Sequence, residues 1–445
     1  MRSLTTILEQ YDPSPDSIVA AAMFAAGNDH LAALDLLLSH DGLRERGVWL
    51  GVAGIKLLET ACRCASPSVV ARILREGVPI DGALDDDVTA LMAAAARGAT
   101  RIVDLLLDAG ANIDACDTSG RTALIFACEG DVEDAVLVLV RRGAGVAART
   151  RGYSALDVAC AAGRARAVAA LMDLPEVRAC ANLPASNGWT PLVAAAVRNS
   201  TATVDALLAH DEVLVDEVVD AGWTALGFAA QEGHVEVAER LLRRGAQVDI
   251  PRKSKVSSDE EGATPLLSAA ANGHIEMIKL LLAQGANVNY STPGYSVSAL
   301  NLAVRNGHQE VVELLLKAGA DVNNRGRAPF LTPLYTACMA NRPGIAAILL
   351  AHGARVGMEN ENVTEAFSAY HHRWPWSLLD RLVEQTPKAV GFEMLLVYLR
   401  QKADREAAER VLWTLRKRGY DFGAIRLGEH EIAADPFFAE IIVAL

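Results

Sequence analysis

One pattern returns so regularly along this chain that any fold must accommodate it. Residues 224–249 read TALGFAAQEGHVEVAERLLRRGAQVD, 264–289 read TPLLSAAANGHIEMIKLLLAQGANVN, and 298–323 read SALNLAVRNGHQEVVELLLKAGADVN. Counted from the opening Thr or Ser, each has Leu at +2, a small residue at +5, Gly–His at +9 and +10, then a Leu–Leu pair and Gly at +21. The same register opens at Ala20, Lys56, Thr89, Thr122, Ser154, Thr190, Thr224, Thr264, Ser298, Thr332 and Thr364. Successive intervals are 36, 33, 33, 32, 36, 34, 40, 34, 34 and 32 residues. A period of this length marks an array of one supersecondary unit, stacked because a single copy cannot bury its own apolar faces.

Each unit can be read physically. Thr or Ser is a good N-cap, and Pro is tolerated at the first helical position, as in Thr190-Pro191, Thr264-Pro265 and Thr332-Pro333. A short Leu/Ala helix follows and ends at Gly98, Gly163, Gly233, Gly273 or Gly307, where a left-handed residue is needed. A second amphipathic helix carries the Leu pair and closes at Gly110, Gly143, Gly245, Gly285, Gly319 or Gly353. The linking segments, such as Ala111-Asn112-Ile113-Asp114, are expected to form β-hairpin fingers. The unit resembles the ankyrin repeat, with its period near 33 and its T-P-L-H-x-A signature. The resemblance covers roughly residues 20–385 and implies an all-α ankyrin-repeat solenoid of about eleven helix–loop–helix units.

The expected organisation is N-terminal capping helices and a degenerate first repeat over 1–55, the array over 56–385, and a C-terminal helical cap over 386–445. Three departures stand out. The interval after Thr224 holds about six extra residues in PRKSKVSSDEEG, a polar insertion within 251–263 expected to be mobile; its Ser257 and Ser258 precede Asp259-Glu260-Glu261, an acidic context suited to phosphorylation. Pro175 stands where the repeat at Ser154 should close on Gly. At Thr364 the Gly–His pair is lost.

The net charge of −13 argues against nucleic acid as partner, since phosphate binding needs a basic face. No apolar run is long enough to span a bilayer, so no membrane partner is expected. The opening stretch is acidic where a signal peptide would be apolar. With seven cysteines lacking paired close spacing, this points to the cytoplasm or nucleus. Cys62, Cys128, Cys160 and Cys338 share position +6 with Ala95, Ala196, Ala230 and Ala270, and so read as buried small hydrophobes. Cys116 and Cys180 fall near fingers, where they could be exposed. His30, His234, His274 and His308 all sit at +10, where the resemblance implies a residue that ties adjacent loops by hydrogen bonds. Neither set offers a metal site, and no phosphate loop or catalytic triad spacing appears. No cofactor is expected.

The resemblance implies that the residue before each Thr or Ser faces the groove and varies freely. Here it is Arg121, Tyr153, Trp189 and Trp223 in four consecutive repeats. Trp, Tyr and Arg are the residue types enriched at binding hot spots, although such rings could instead pack on neighbouring fingers. A second polar row after the first helix includes Arg198, Glu232 and Arg305. Together these residues point to a protein–protein interaction scaffold that binds its partner in the groove. The stretch His371-His372-Arg373-Trp374-Pro375-Trp376 offers the makings of a pocket in the degenerate repeat; His371, His372, Trp374 and Trp376 carry the alternative, an enzyme or small-molecule binder.

Overall fold

The computed structural model describes residues 14–39, 47–64, 66–83, 85–130, 132–146, 148–253, 262–293, 296–326 and 332–355, with the isolated positions Trp413 and Lys417. Two compact units divide the chain: residues 1–225 with 243–246, and residues 226–242 with 247–445. The division falls inside the repeat array, at a place the sequence does not mark.

Among the described residues the first unit holds six helix pairs: α1 (Pro15–Gly27) with α2 (Leu31–Leu38), α3 (Val52–Cys64) with α4 (Pro67–Leu74), α5 (Ala90–Arg97) with α6 (Thr100–Asp108), α7 (Ala123–Glu129) with α8 (Glu133–Arg141), α9 (Ala155–Ala162) with α10 (Ala165–Met172), and, after the short α11 (Pro175–Arg178), α12 (Pro191–Val197) with α13 (Thr201–Leu208). First helices pack on first helices and second on second, giving two layers. Helices of this length are marginal alone in water, so the layers stabilise them. Leu91, Leu106, Leu124, Leu139, Leu171 and Leu207 supply the seam and are buried. The second unit repeats the scheme with α14 (Ala225–Glu232), α15 (Val235–Arg243), α16 (Pro265–Asn272), α17 (Ile275–Ala283), α18 (Ala299–Asn306), α19 (Gln309–Lys317), α20 (Pro333–Met339) and α21 (Pro343–Ala351). Residue 225, the first of α14, and residue 243, the last of α15, belong to the first unit.

The caps follow the sequence. Thr89, Thr190, Thr264 and Thr332 accept hydrogen bonds from the N–H three residues on. Gly98, Gly163, Gly273 and Gly307 end the first helices in the left-handed region. Where a repeat lacks that glycine, Asp29, Asn199 and Asn341 adopt the positive φ, as Asp and Asn do more readily than other side chains. Two histidines act as the repeat implies. The rings of His274 and His308 bond the carbonyls of Gln231 (2.9 Å) and Ala271 (3.0 Å) in the preceding repeat. A Cβ on Gly233 would lie 2.8 Å from the His274 ring, and one on Gly273 2.7 Å from that of His308, so each glycine makes room for the next histidine. His30, in the first described repeat, is exposed.

Some expectations are corrected. α1 and α3 start at Pro15 and Val52, about a turn before the register positions Ala20 and Lys56. Neither position offers a Thr or Ser to stop the helix from extending backwards, and Ser14 with Pro15 starts α1 instead. Among the described residues only one finger forms a strand ladder, β1 (Arg149–Thr150) with β2 (Tyr153–Ser154). Elsewhere a single closing bond is too short to make strands, as from Ala185 N–H to Trp189 O (2.9 Å) or Val219 N–H to Trp223 O (3.0 Å). The insertion's residues 254–261, with Ser257 and Ser258, lie outside the described residues. Its base closes like any finger, Arg252 N–H donating to Ala263 O at 2.8 Å. Pro175 begins α11, and Arg178 reaches back to the carbonyls of Met172 (2.9 Å) and Asp173 (3.0 Å), capping α10 without the usual glycine.

Candidate functional site

Fingers and first helices of the first unit meet along a groove, and the row that precedes each Thr or Ser is where they meet. Arg121 is fastened there by its own repeat. Its backbone N–H and Nε donate to Asp117 at 2.7 and 2.8 Å, its Nη1 donates to Glu129 at 3.2 Å, and its guanidinium lies 4.3 Å from the Phe126 ring centre. Burial pushes the Asp117 carboxyl upward, but the bonds and charge of Arg121 and the Ser119 N–H outweigh it and hold the group below its ordinary value. Arg121 is thus a positioned wall of the groove, with most of its bonding directed inward.

Tyr153 is half-buried at the start of β2, and Trp189 is half-buried at the tip of its finger. Trp223 departs from the expectation. It is 3% exposed and its indole nitrogen has no solvent contact. An indole so enclosed is a packing residue, so the structure does not present an exposed clamp of two adjacent tryptophans. Arg198 is exposed at the end of α12, in the first unit. Glu232 and Arg305 are exposed at the ends of α14 and α18, in the second. His371, His372, Trp374 and Trp376 lie outside the described residues.

Between Arg121 and Tyr153 the groove deepens into a pocket of about 250 Å³. Two fingers supply Ser119, Arg121, Thr150, Arg151 and Tyr153; the first helices beneath supply Ile125, Glu129 and Val158. Drug-sized ligands occupy sites of roughly 300–1,000 Å³, so this cavity suits one side chain of a larger partner. A larger hollow of about 400 Å³ lies where α4 and α6 begin, among Ser66, Pro67 and residues 97–102, away from the aromatic row.

Sequence reading found Arg121 and Tyr153 but missed Arg151, Ser119, Asp117 and the apolar floor. One signal was available. Residues 135–156 contain four arginines and no acidic residue, in a chain with 55 Asp and Glu. The cysteines follow the sequence expectation: Cys62, Cys128, Cys160 and Cys338 are buried and outside any disulfide, while Cys64, Cys116 and Cys180 are exposed. Among the described residues no three His, Cys, Asp or Glu side chains cluster as metal ligands, and no helix is long and apolar enough to cross a membrane.

Known proteins place this architecture. The chain is similar to an ankyrin repeat and KH domain-containing protein of Caenorhabditis briggsae, 29% identical over 206 residues, 45% of this chain and 7% of that protein. It is also similar to the E3 ubiquitin-protein ligase XBAT32 of Arabidopsis thaliana, 29% identical over 158 residues, 35% of this chain and 29% of that protein. The chain therefore spans less than a third of either relative's own length. Among solved structures it resembles the human ASB11 ankyrin repeat domain at 29% identity and a TM-score of 0.45, over 53% of this chain and 99% of that one. The family model for ankyrin repeats in three copies matches residues 57–150, 91–178, 156–252 and 250–326, more than half of the chain. The chain belongs to the ankyrin-repeat family.

Proposed function

We propose that this protein is a non-catalytic scaffold that holds a segment of a partner protein in the groove of its first unit, along Arg121, Tyr153 and Trp189. Ankyrin repeats are generally protein-interaction modules, which supports the scaffold reading at the level of fold. The pocket between Arg121 and Tyr153 carries the finer reading. It is sized for a side chain, lies in the row where the repeat leaves residue choice free, and has a half-buried aromatic, Trp189, farther along. Half-buried Tyr and Trp beside Arg are the composition of interface hot spots.

Photo-crosslinking tests this reading. A benzophenone amino acid placed at Tyr153 or Trp189 should trap a discrete protein from the native cell. The same probe at Arg101, on the first turn of α6, should not. Equal trapping at the three positions, or none at the groove positions, would remove the groove from the function.

A further inference from the structure

We infer that the pocket beneath the 149–153 finger is a carboxylate subsite, taking an Asp or Glu side chain from an acidic, extended segment of the partner. The inference rests on the groove being the protein-binding face. Its first support is the set of hydrogen-bond donors. Arg151 donates to Ser119 Oγ at 3.1 Å, which uses one of the five N–H bonds of a guanidinium. Among the described residues, the Tyr153 hydroxyl makes no hydrogen bond, and Ser119 Oγ serves only as the acceptor for Arg151. The hydroxyl of Thr150 is already committed to Gly120 O at 2.7 Å. Arg151, Ser119 and Tyr153 therefore leave donors, which an acceptor-only group such as a carboxylate satisfies.

Charge selects which anion. Arg121 is engaged by both Asp117 and Glu129, which leaves Arg151 as the one guanidinium lining the cavity that no ion pair holds among the described residues. That single uncommitted cation matches a carboxylate; a phosphate, near two negative charges at neutral pH, would face Glu129 and Asp117 without compensation. Ile125 and Val158 provide an apolar floor for the methylenes of the entering side chain. Neither Arg149 nor Arg151 is held by an ion pair among the described residues, and Arg149 instead donates to the carbonyls of Gly152 (3.2 Å) and Pro184 (3.3 Å). In a chain of net charge −13, this finger is a local positive site. Electrostatic complementarity of this kind steers association as well as specificity.

The backbone adds a further observation. Arg151 and Gly152 are the central residues of the two-residue turn joining β1 to β2, with φ of 51° and 84°. Asn-Gly or Asp-Gly is the favoured pair for such a turn, and arginine bears strain there. Asparagine would relieve the strain and abolish the charge, which separates binding from folding in a single substitution.

The test begins with random dodecapeptides displayed on phage and selected on the full chain. Enriched sequences are remade and measured by calorimetry against wild type, Arg151→Asn, Tyr153→Phe and Trp189→Ala. The expected binders are rich in Asp and Glu. Replacing one critical Glu by Gln should weaken them at least tenfold on wild type and hardly at all on Arg151→Asn. Arg151→Asn should melt no lower than wild type, and Tyr153→Phe should weaken binding while keeping the ring. If binders lose affinity on Trp189→Ala yet ignore both Arg151→Asn and the Glu→Gln exchange, the carboxylate subsite is wrong and the groove reading stands. A phosphoserine version that binds more tightly than the Glu peptide would likewise overturn the subsite. If no peptide is selected, or the selected peptides ignore all three substitutions, both readings fall.

Discussion

Replacing Trp223 by alanine removes an indole that is 3% exposed, so the loss should appear in stability. Buried Trp→Ala changes cost about 3–5 kcal/mol, whereas half-buried Trp189 should cost clearly less. Urea midpoints of the two variants measure the difference, and equal losses would contradict the burial assigned to them. Asp157 gives a pH-dependent case. Burial lifts its carboxyl above the ordinary value, against the pull of hydrogen bonds from the backbone and hydroxyl of Ser154. The folded state therefore keeps a proton that the unfolded chain releases near pH 3.9, roughly the free carboxyl value. This contribution to stability is full below that pH and is lost as pH rises through the folded value. Ser298 and Asn301 build the same box without a charge, Ser298 Oγ donating to Asn301 Oδ1 at 2.7 Å. Asp157→Asn should thus be more stable than wild type at pH 7, with the gap closing toward pH 3.5; a gap independent of pH would refute this. Thiol chemistry is checked just as directly. Burial pushes the Cys62 and Cys128 thiols up to about 12, and Cys160 well above its ordinary value. At pH 8 a disulfide reagent should label Cys64, Cys116 and Cys180, and reach the four buried thiols only after denaturation.

Thr122 and Thr190 open equivalent helices, but only Thr190 caps its helix, accepting from Val193 N–H at 3.4 Å. The Thr122 hydroxyl is buried without a partner. Thr190→Val should cost about 1 kcal/mol, the usual worth of an N-cap, and Thr122→Val should be neutral or stabilising because a buried unbonded hydroxyl is costly. Thermal melts would show it. Sequence alone made the two threonines look alike, since residue identity marks a cap position and only geometry makes the bond. The helices and left-handed turns were legible because Thr, Pro, Leu and Gly each act within one repeat. What joins the repeats was not. Asp81, Asp114 and Asn182 accept backbone N–H groups of Asn112, Gly145 and Leu214 in the following finger, at 2.9, 2.7 and 2.9 Å. Asp249, Asn289 and Asn323 do the same for Asn287, Asp321 and Arg355. Read singly, these residues suggest turns; their partners lie 31 to 38 residues away. The pocket was half legible for the same reason, since Arg121 and Tyr153 hold repeat positions whereas Arg151 and Ser119 meet only across two fingers.

Two compact units in one array imply two cooperative blocks rather than one, since repeat proteins couple mainly through nearest neighbours. Leu106 and Leu281 are fully buried, one in each unit. Leu106→Ala should lower one stretch of the urea unfolding curve and Leu281→Ala another, followed by hydrogen exchange; identical shifts throughout would make the array a single block. The contact between Gly233 and His274, repeated between Gly273 and His308, has a consequence for lineage. The repeat at Thr264, which runs 34 residues to Ser298, carries both the socket for its successor's ring, Gly273, and the ring for its predecessor's socket, His274. Excising residues 264–297 would bring the His308 ring to the Gly233 socket, and duplicating them would insert a copy whose ring and socket find partners on either side. A gene built this way can lengthen or shorten its product by a whole unit here while each ring still meets a socket.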